Sequence, residues 1–254
     1  MNLASVTEEE KLLLRRLGDL ADLAAQRNTP RFSFFLSEGQ LLLAQAFVEQ
    51  NHIENAMFYG GYDGAARKAC GFFPHYDDPE AGHFPITPLT LTFMKEKKLT
   101  HRDFLGSLMG LGIKRESVGD ILASEGRCIL FLLDSIAPFV MQELIKVGNT
   151  GVKCSQGFDA AHIPQPEFTT LSGTVSSLRL DSLVKLATGL SREKSAVLIR
   201  GGTVRHNHSE TQNISQSFNV DDTLSIRGYG RFIVDAVGAP TRKGRLPVRI
   251  LKYI

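Results

Sequence analysis

The spacing of apolar positions changes several times along this chain, and each change marks an element. Leu13, Leu17, Leu20 and Ala24 recur at three-to-four spacing behind Thr7 and Glu10, a capping box, which predicts an amphipathic helix. Thr29 and Pro30 break it. Ser37 and Gln40 repeat the capping pattern ahead of a second helix through Leu41–Val48. From Ala56 the pattern turns strand-like. Ala56–Tyr59 reads as a strand running into the turn Gly60–Gly64, with a short helix expected around Ala65–Lys68. Leu89–Phe93 alternates Leu and Thr and reads as a strand. Thr100 with Asp103 caps a helix through Leu111, which Gly112 ends. Val118–Ala123 and Arg127–Leu133 form a hairpin across Ser124–Gly126. A helix from Ser135 to Val147 carries Pro138 in its first turn, where a missing N–H does little harm, and closes at Gly148. Val152–Ser155 gives a strand.

Residues 157–170 include Pro164 and Pro166 and few periodic apolar positions, which predicts a linker. Two short helices follow, about Leu180–Ala187 and Ser191–Arg200, the second stopped by Gly201 and Gly202. Strands are expected near Thr203–His206, Thr223–Arg227, Arg231–Val237 and Leu246–Tyr253. The expected fold class is α+β, in four parts: an N-terminal helical segment (1–55), a central α/β domain (56–156), the linker (157–170) and a C-terminal domain (171–254). A length of 254 residues suits about two domains.

Composition narrows the class. Hydrophobic residues make up 43% and charged residues 22%, an ordinary globular balance. No apolar run approaches the roughly 18 residues of a membrane span. Glu8, Glu9 and Glu10 stand where an export signal would be basic and then apolar, so a cytoplasmic protein is expected. Cys70, Cys128 and Cys154 are odd in number and widely spaced, which argues against a disulfide framework or a zinc site and for buried small apolar residues. The net charge of +2 hides an asymmetry. Residues 171–254 hold 13 Lys and Arg against 6 Asp and Glu, so the remainder of the chain is acidic. A basic segment of this kind attracts a polyanion while the acidic part keeps the chain soluble or meets another partner.

Candidate chemistry concentrates in that basic segment. Ser191 is placed to cap a helix whose first turn carries Arg192 and Lys194, where the helix N-terminus also favours phosphate. Arg200 lies two turns on, and Arg179 at the start of the preceding helix. A helix pair of this kind can lay a basic face along an RNA backbone, since RNA duplexes are read mostly by shape, phosphate and 2′-hydroxyl. Arg205, His206, Arg227 and Arg231 extend the candidate RNA-binding set onto the strands. A solvated surface charge is the plain alternative for any single arginine. Asp181 reads as structural, pairing with an arginine or capping a helix. Arg242, Lys243 and Arg245 form a second basic cluster in a turn. Tyr62, Tyr229 and Phe232 are candidates for base stacking, although core packing is commoner for Phe232. His206 and His208 lack a Cys or acidic cluster beside them, so no metal site is expected. Gly60–Gly64 lacks the Gly-Lys-Ser/Thr ending of a phosphate-binding loop. Arg102, Lys114 and Arg115 form a candidate second RNA contact in the central domain.

The run Arg179-Leu180-Asp181, Ser191-Arg192, Leu198-Ile199-Arg200-Gly201-Gly202-Thr203-Val204 and Asp222-Thr223-Leu224-Ser225-Ile226 resembles the alpha-L, or S4-type, RNA-binding motif. It departs at Ser195, where the motif has a small Ala, at Asn207-His208, where it turns on Asn-Gly, and at Asp221, where it has Gly. Phe58–Ala65, Thr100–Ile113, Val118–Ile121 and Val175–Asp181 together resemble the bacterial YlmH family over nearly the whole chain. The resemblance implies a cytoplasmic RNA-binding protein with a central domain similar to an RNA-recognition α/β sandwich and a C-terminal S4-type domain. It implies binding of ribosomal RNA and tRNA on the large ribosomal subunit carrying peptidyl-tRNA. It further implies protein partners in ribosome-associated quality control, where the family supports C-terminal tailing of stalled chains, and a link to cell division. No catalytic residue and no cofactor is expected. Two alternatives remain open: an RNA-modifying enzyme targeted by the basic domain, and an adaptor linked to cell division.

Overall fold

A computed structural model describes residues 7–163, 168–207 and 209–253. The chain divides by internal contacts into residues 1–164 and 165–254.

In the first unit, α1 (Glu8–Arg27) and α2 (Glu38–Gln50) flank β1 (Arg31–Phe32). Both helices open on the expected capping boxes, with the Thr7 N–H donating to the Glu10 carboxylate at 2.7 Å and that of Ser37 to Gln40 Oε1 at 2.9 Å. β2 (Ala56–Tyr59) and β3 (Ala69–Phe72) complete a small antiparallel sheet in the order β1-β3-β2. No helix forms at 65–68. Lys68 makes a bridge to Leu36, and the chain goes directly into β3, which is wholly buried. Leu17, Ala24 and Ala44 of the helices pack on Leu36, Cys70 and Phe72. The N-terminal helices are thus joined to residues 56–72 by one sheet and one core.

The chain continues through β4 (Ile86–Thr92), α3 (His101–Gly110), β5 (Val118–Ser124), β6 (Arg127–Leu133), α4 (Ala137–Glu143), β7 (Lys146–Val147), β8 (Thr150–Gly151) and β9 (Lys153–Gln156). The helix expected to reach Val147 stops at Glu143. Residues 146–151 instead form a small hairpin that turns at Gly148, whose φ of 55° suits glycine. The main sheet runs β5-β6-β4-β9, all antiparallel. Strand, helix, strand, strand, helix, strand in this spatial order is the ferredoxin-like arrangement, shared by RNA-recognition domains. One face packs Leu89, Leu91, Leu130 and Leu132 against Phe104 and Leu108 of α3 and Val140 of α4. The other face packs Ile129, Phe131 and Leu133 against Phe35, Tyr62 and Phe158.

The second unit opens with β10 (Phe168–Val175), whose first residues lie in the stretch expected as linker. Then come α5 (Leu180–Thr188), α6 (Arg192–Arg200), β11 (Val204–His206), β12 (Ser209–Glu210), β13 (Thr223–Ile226), β14 (Gly230–Val237) and β15 (Leu246–Tyr253). The antiparallel sheet runs β10-β15-β14-β13-β11-β12. Period-two alternation sends Leu224, Ile226, Phe232, Val234, Val248 and Ile250 into a core with Leu180, Leu183, Val184 and Ile199 of the helices. The class is α+β. Among the described residues no helix is long and apolar enough to cross a membrane. Cys70 and Cys128 are buried and Cys154 half-buried, all as free thiols; burial pushes the Cys70 thiol up to about 12.

Candidate nucleic-acid interface

The helix pair carries the candidate site. Ser191 caps α6, its hydroxyl accepting from the Lys194 N–H at 3.3 Å. Ser195, fully buried, donates its hydroxyl to the Ser191 carbonyl at 3.0 Å, so a hydroxyl in place of the motif's small apolar residue is satisfied. Lys194, Val197 and Arg200, three residues apart, form an exposed stripe along α6; Val197 is 67% exposed. Arg192 lies in the first turn and donates Nε to Asp181 Oδ2 at 2.7 Å. Asp181 is 2% exposed, so the carboxylate is structural, as its position suggested. Arg179, just before α5, approaches the same carboxylate at 3.6 Å and donates to Ser215 Oγ at 2.5 Å.

The strand residues divide. Arg205 and Arg227 are exposed and line a surface depression of about 520 Å³ with Ser225 and Glu210. Arg205, Ser225 and Arg231 are cross-strand neighbours on the sheet face away from the helices. The Arg231 guanidinium lies over the Tyr253 ring at 5.0 Å. His206 is largely buried, its side chain 16% exposed. Its ring packs on Phe218, 4.0 Å between centroids, and its Nε2 lies 3.0 Å from Asp222 Oδ2. Asp222 also accepts from the Asn207 side chain at 2.7 Å and from the Asn219 N–H at 2.8 Å. These donors outweigh burial and hold the Asp222 carboxyl below its ordinary value. The turn therefore closes on a polar network centred on Asn207 and Asp222. Asn207 and Asp221 adopt left-handed φ values of 45° and 70°. His208 lies outside the described residues.

In the first unit, Arg102 and Lys114 are exposed, whereas Arg115 is half-buried and donates to the Val118 and Gly119 carbonyls at 2.5 and 3.1 Å. Its guanidinium thus braces the entry to β5. Arg67 works beside it, donating to the Val118 and Phe35 carbonyls at 3.0 Å each. Burial and the nearby Arg115 charge lower the Arg67 guanidinium to about 10. Asp103 serves the cap, accepting from the Thr100 N–H at 2.7 Å.

The stacking candidates fare differently from the cations. RNA-recognition sheets stack bases on exposed aromatics. Here the corresponding face is closed: Phe131 is fully buried, Tyr62 stacks on it at 4.8 Å, and Phe158 meets it edge-on at 5.2 Å. Tyr62 donates its hydroxyl to Asp120 at 2.8 Å. Phe232 is core, and Tyr229 is half-buried against that core. Among the described residues no group of three or more His, Cys, Asp or Glu converges to hold a metal.

A third basic surface escaped the motif reading. Lys185 of α5, Arg192 and Arg245 line a concavity of about 370 Å³ with Thr174, Ser176 and Ser182. Arg245 belongs to the basic turn cluster, whereas Lys185 stands outside every motif. Its only sequence signal is a basic residue in the last turn of a short helix.

These features define a two-unit α+β protein: a ferredoxin-like domain with both sheet faces covered, and a basic unit built on a helix pair and an antiparallel sheet. Residues 79–158 match the family model described as "Putative RNA-binding domain in YlmH". The chain is 30% identical over 240 residues to "Ribosome-associated protein quality control protein P2" of Bacillus subtilis (strain 168), covering 94% of this chain and 93% of that protein. It therefore belongs to the YlmH family. A solved structure, "Cell division protein ylmH from Streptococcus pneumoniae", shares the fold with a TM-score of 0.53 and 21% identity, covering 62% of this chain and 96% of that one.

Proposed function

We propose that this protein is a non-catalytic RNA-binding factor that engages ribosomal RNA and tRNA on the large ribosomal subunit carrying peptidyl-tRNA. It serves ribosome-associated quality control in the cytoplasm, with protein partners in that process. The observation that carries this reading is the near-full-length relationship to the quality-control protein, joined to the exposed Lys194–Val197–Arg200 face of α6. The basic unit acts as an S4-type domain, with Arg179, Ser191, Arg192, Lys194 and Arg200 on its helix pair and Arg205, Arg227 and Arg231 on its sheet. Arg102 and Lys114 make a second contact within the segment that matches the family's RNA-binding domain. Asp181 supports a non-catalytic reading, because its carboxylate is buried against Arg192 rather than presented in a cleft. Co-sedimentation on a sucrose gradient with RNA crosslinking tests the reading. Recovery with large subunits and crosslinks to ribosomal RNA and tRNA at α6 is expected. Recovery only at the top of the gradient, without crosslinks, overturns it.

One observation favours an added adaptor role. An apolar groove of about 590 Å³ between α1 and β1 is lined by Leu12, Leu13 and Phe34, with Glu9, Asp19 and Glu116 outnumbering Arg16 among its charged residues. Leu12 and Phe34 are 47% and 49% exposed. The groove suits an amphipathic helix of a protein partner with basic flanks. A Leu12→Glu, Phe34→Glu variant that keeps every protein partner of the wild type overturns this role.

A further inference from the structure

The concavity lined by Lys185, Arg192 and Arg245 has a chemistry of its own. Its walls come from the end of β10 (Thr174) and the residue after it (Ser176), α5 (Ser182, Lys185), the start of α6 (Arg192) and the turn before β15 (Arg245). Three cations line it, and no carboxylate does. Asp181 lies beneath Arg192 and takes its Nε, which leaves the two terminal nitrogens of that guanidinium as donors. Arg245 donates to the Thr174 carbonyl, which fixes its guanidinium at the rim. Among the described residues neither Lys185 nor Arg245 has a carboxylate partner. The N-terminus of α6 adds its positive dipole end. The opposing C-terminal end of α5 borders the pocket at Gly189, but the Lys185 carbonyl is already taken by the Gly189 N–H at 2.9 Å. Small hydroxyls complete the donor set. No aromatic ring lines the pocket, so it offers no platform for a base. Cations and hydroxyls converging without a ring or an acid fit a tetrahedral oxyanion.

We propose that Lys185, Arg192 and Arg245, with Ser176 and Ser182, form a subsite for one backbone phosphate of the bound RNA. The subsite rests on the RNA-binding reading above and deepens it. It sets the register of the strand rather than reading its sequence, because phosphate contacts position and base contacts specify.

The test uses the full chain, a single-stranded RNA oligonucleotide and inorganic phosphate. Lys185→Gln and Arg245→Ala are combined, since both side chains are exposed. A separate Arg242→Ala, Lys243→Ala variant removes two charges from the same turn outside the pocket. The pocket variant is expected to bind RNA about tenfold more weakly, with a salt slope shallower by about 0.7 for the one lost phosphate contact. The outside variant is expected to lose less. Inorganic phosphate is expected to shift the backbone amide resonances of Ser176, Ser182 and Gly189 in the wild type and not in the pocket variant. Lys185→Gln alone, at an exposed position of α5, checks that any loss is not misfolding. Unchanged RNA affinity and slope in the folded pocket variant overturn the subsite and leave RNA binding standing. Equal losses in the two double variants also overturn it, as general charge. A wild type that binds no RNA overturns the reading beneath it. Phosphate shifts confined to the pocket would then point to a free oxyanion as the ligand.

Discussion

Arg192 and Asp181 join the start of α6 to the first turn of α5 through a 2.7 Å hydrogen bond, with the arginine 64% exposed and the carboxylate 2% exposed. The pair is asymmetric, and so are its two truncations. Arg192→Ala strands a buried carboxylate whose remaining cation among the described residues is Arg179 at 3.6 Å, and an unpaired buried charge costs about 2–3 kcal/mol. Asp181→Ala frees an arginine that water can solvate, and costs less, about 1–2 kcal/mol. Chemical denaturation followed by circular dichroism checks the order of the two. A consequence follows for RNA binding. Loss of affinity in Arg192→Ala mixes lost contact with lost helix packing, so Lys194→Ala with Arg200→Ala is the cleaner probe of the exposed α6 face. That double variant is expected to keep wild-type stability while its salt slope for single-stranded RNA falls by about 1.4.

Asp222 holds its turn together only while ionised. Burial works against its charge, but donors from Asn207, Asn219 and His206 outweigh burial and lower its carboxyl below the usual aspartate value. A depressed carboxyl contributes stability above its unfolded value, near pH 4, and loses it as pH falls through the lower folded value. The second unit is therefore expected to weaken in acid below about pH 4. Asp222→Asn should be less stable than the wild type at neutral pH and converge with it in acid. Amide hydrogen exchange at Thr223 and Asn219 reads this locally, and a constant gap at every pH would contradict it.

Asp221 takes a φ of 70° where the motif it resembles has glycine. Left-handed backbone is strained for a residue with a Cβ and free for glycine. Asp221→Gly is expected to stabilise the second unit by about 0.5–1 kcal/mol. The Asp221 N–H, which donates to the Val234 carbonyl at 2.8 Å, is unaffected. A rise in the thermal midpoint is the readout.

This departure shows what the sequence alone discloses. Capping residues act within three positions, so Thr7–Glu10, Ser37–Gln40 and Thr100–Asp103 disclosed their helices directly. Asp181 was legible as an arginine's partner because a carboxylate among apolar positions needs a cation. β3 was not legible: Ala69–Phe72 is buried on both faces, which erases alternation, and it carries Gly71 against Phe32 and Phe84. The false extension of α4 to Val147 has a similar cause. Val147 is buried through a local hairpin, which a helical pattern imitates over so few residues. Arg115 curls back onto the Val118 and Gly119 carbonyls just ahead of it, which a pattern of apolar positions does not disclose. Arg67 beside it meets the Phe35 carbonyl, 32 residues away in sequence, and no local pattern holds that contact.

Asp120 shows such distant dependence in the first unit. It accepts from the Tyr62 hydroxyl at 2.8 Å and from the Ala66 and Arg67 N–H groups at 2.7 and 3.1 Å, fastening the 60–68 loop to β5. Burial, then the Asp120 charge, push the Tyr62 phenol well above its ordinary value. Asp120→Ala leaves those donors unmet and is expected to cost about 2–3 kcal/mol. The Tyr62 phenol should then titrate lower than in the wild type but still above its ordinary value, because the ring stays buried against Phe131. An unchanged tyrosine absorbance titration would mean that the carboxylate adds nothing to burial.

Phe131 decides how the first unit can meet RNA. It occupies a central strand of the ferredoxin-like sheet, where an RNA-recognition domain would present an aromatic to a base. Instead Tyr62, Phe158 and Phe35 cover it, and a Cβ at Gly61 would stand 2.3 Å from its ring. A base cannot enter without removing that layer. On the proposed reading, contact from this unit comes from cations outside the covered face, with Arg102 and Lys114 exposed. Phe131→Leu is accordingly expected to lower stability by about 1–2 kcal/mol through imperfect packing. At temperatures where the variant is folded, its RNA affinity should equal that of the wild type. Arg102→Ala with Lys114→Ala is expected to do the reverse, sparing stability and flattening the salt dependence of binding. Binding isotherms at several salt concentrations separate the two, and a marked affinity loss in folded Phe131→Leu would mean that the aromatic layer opens to admit RNA.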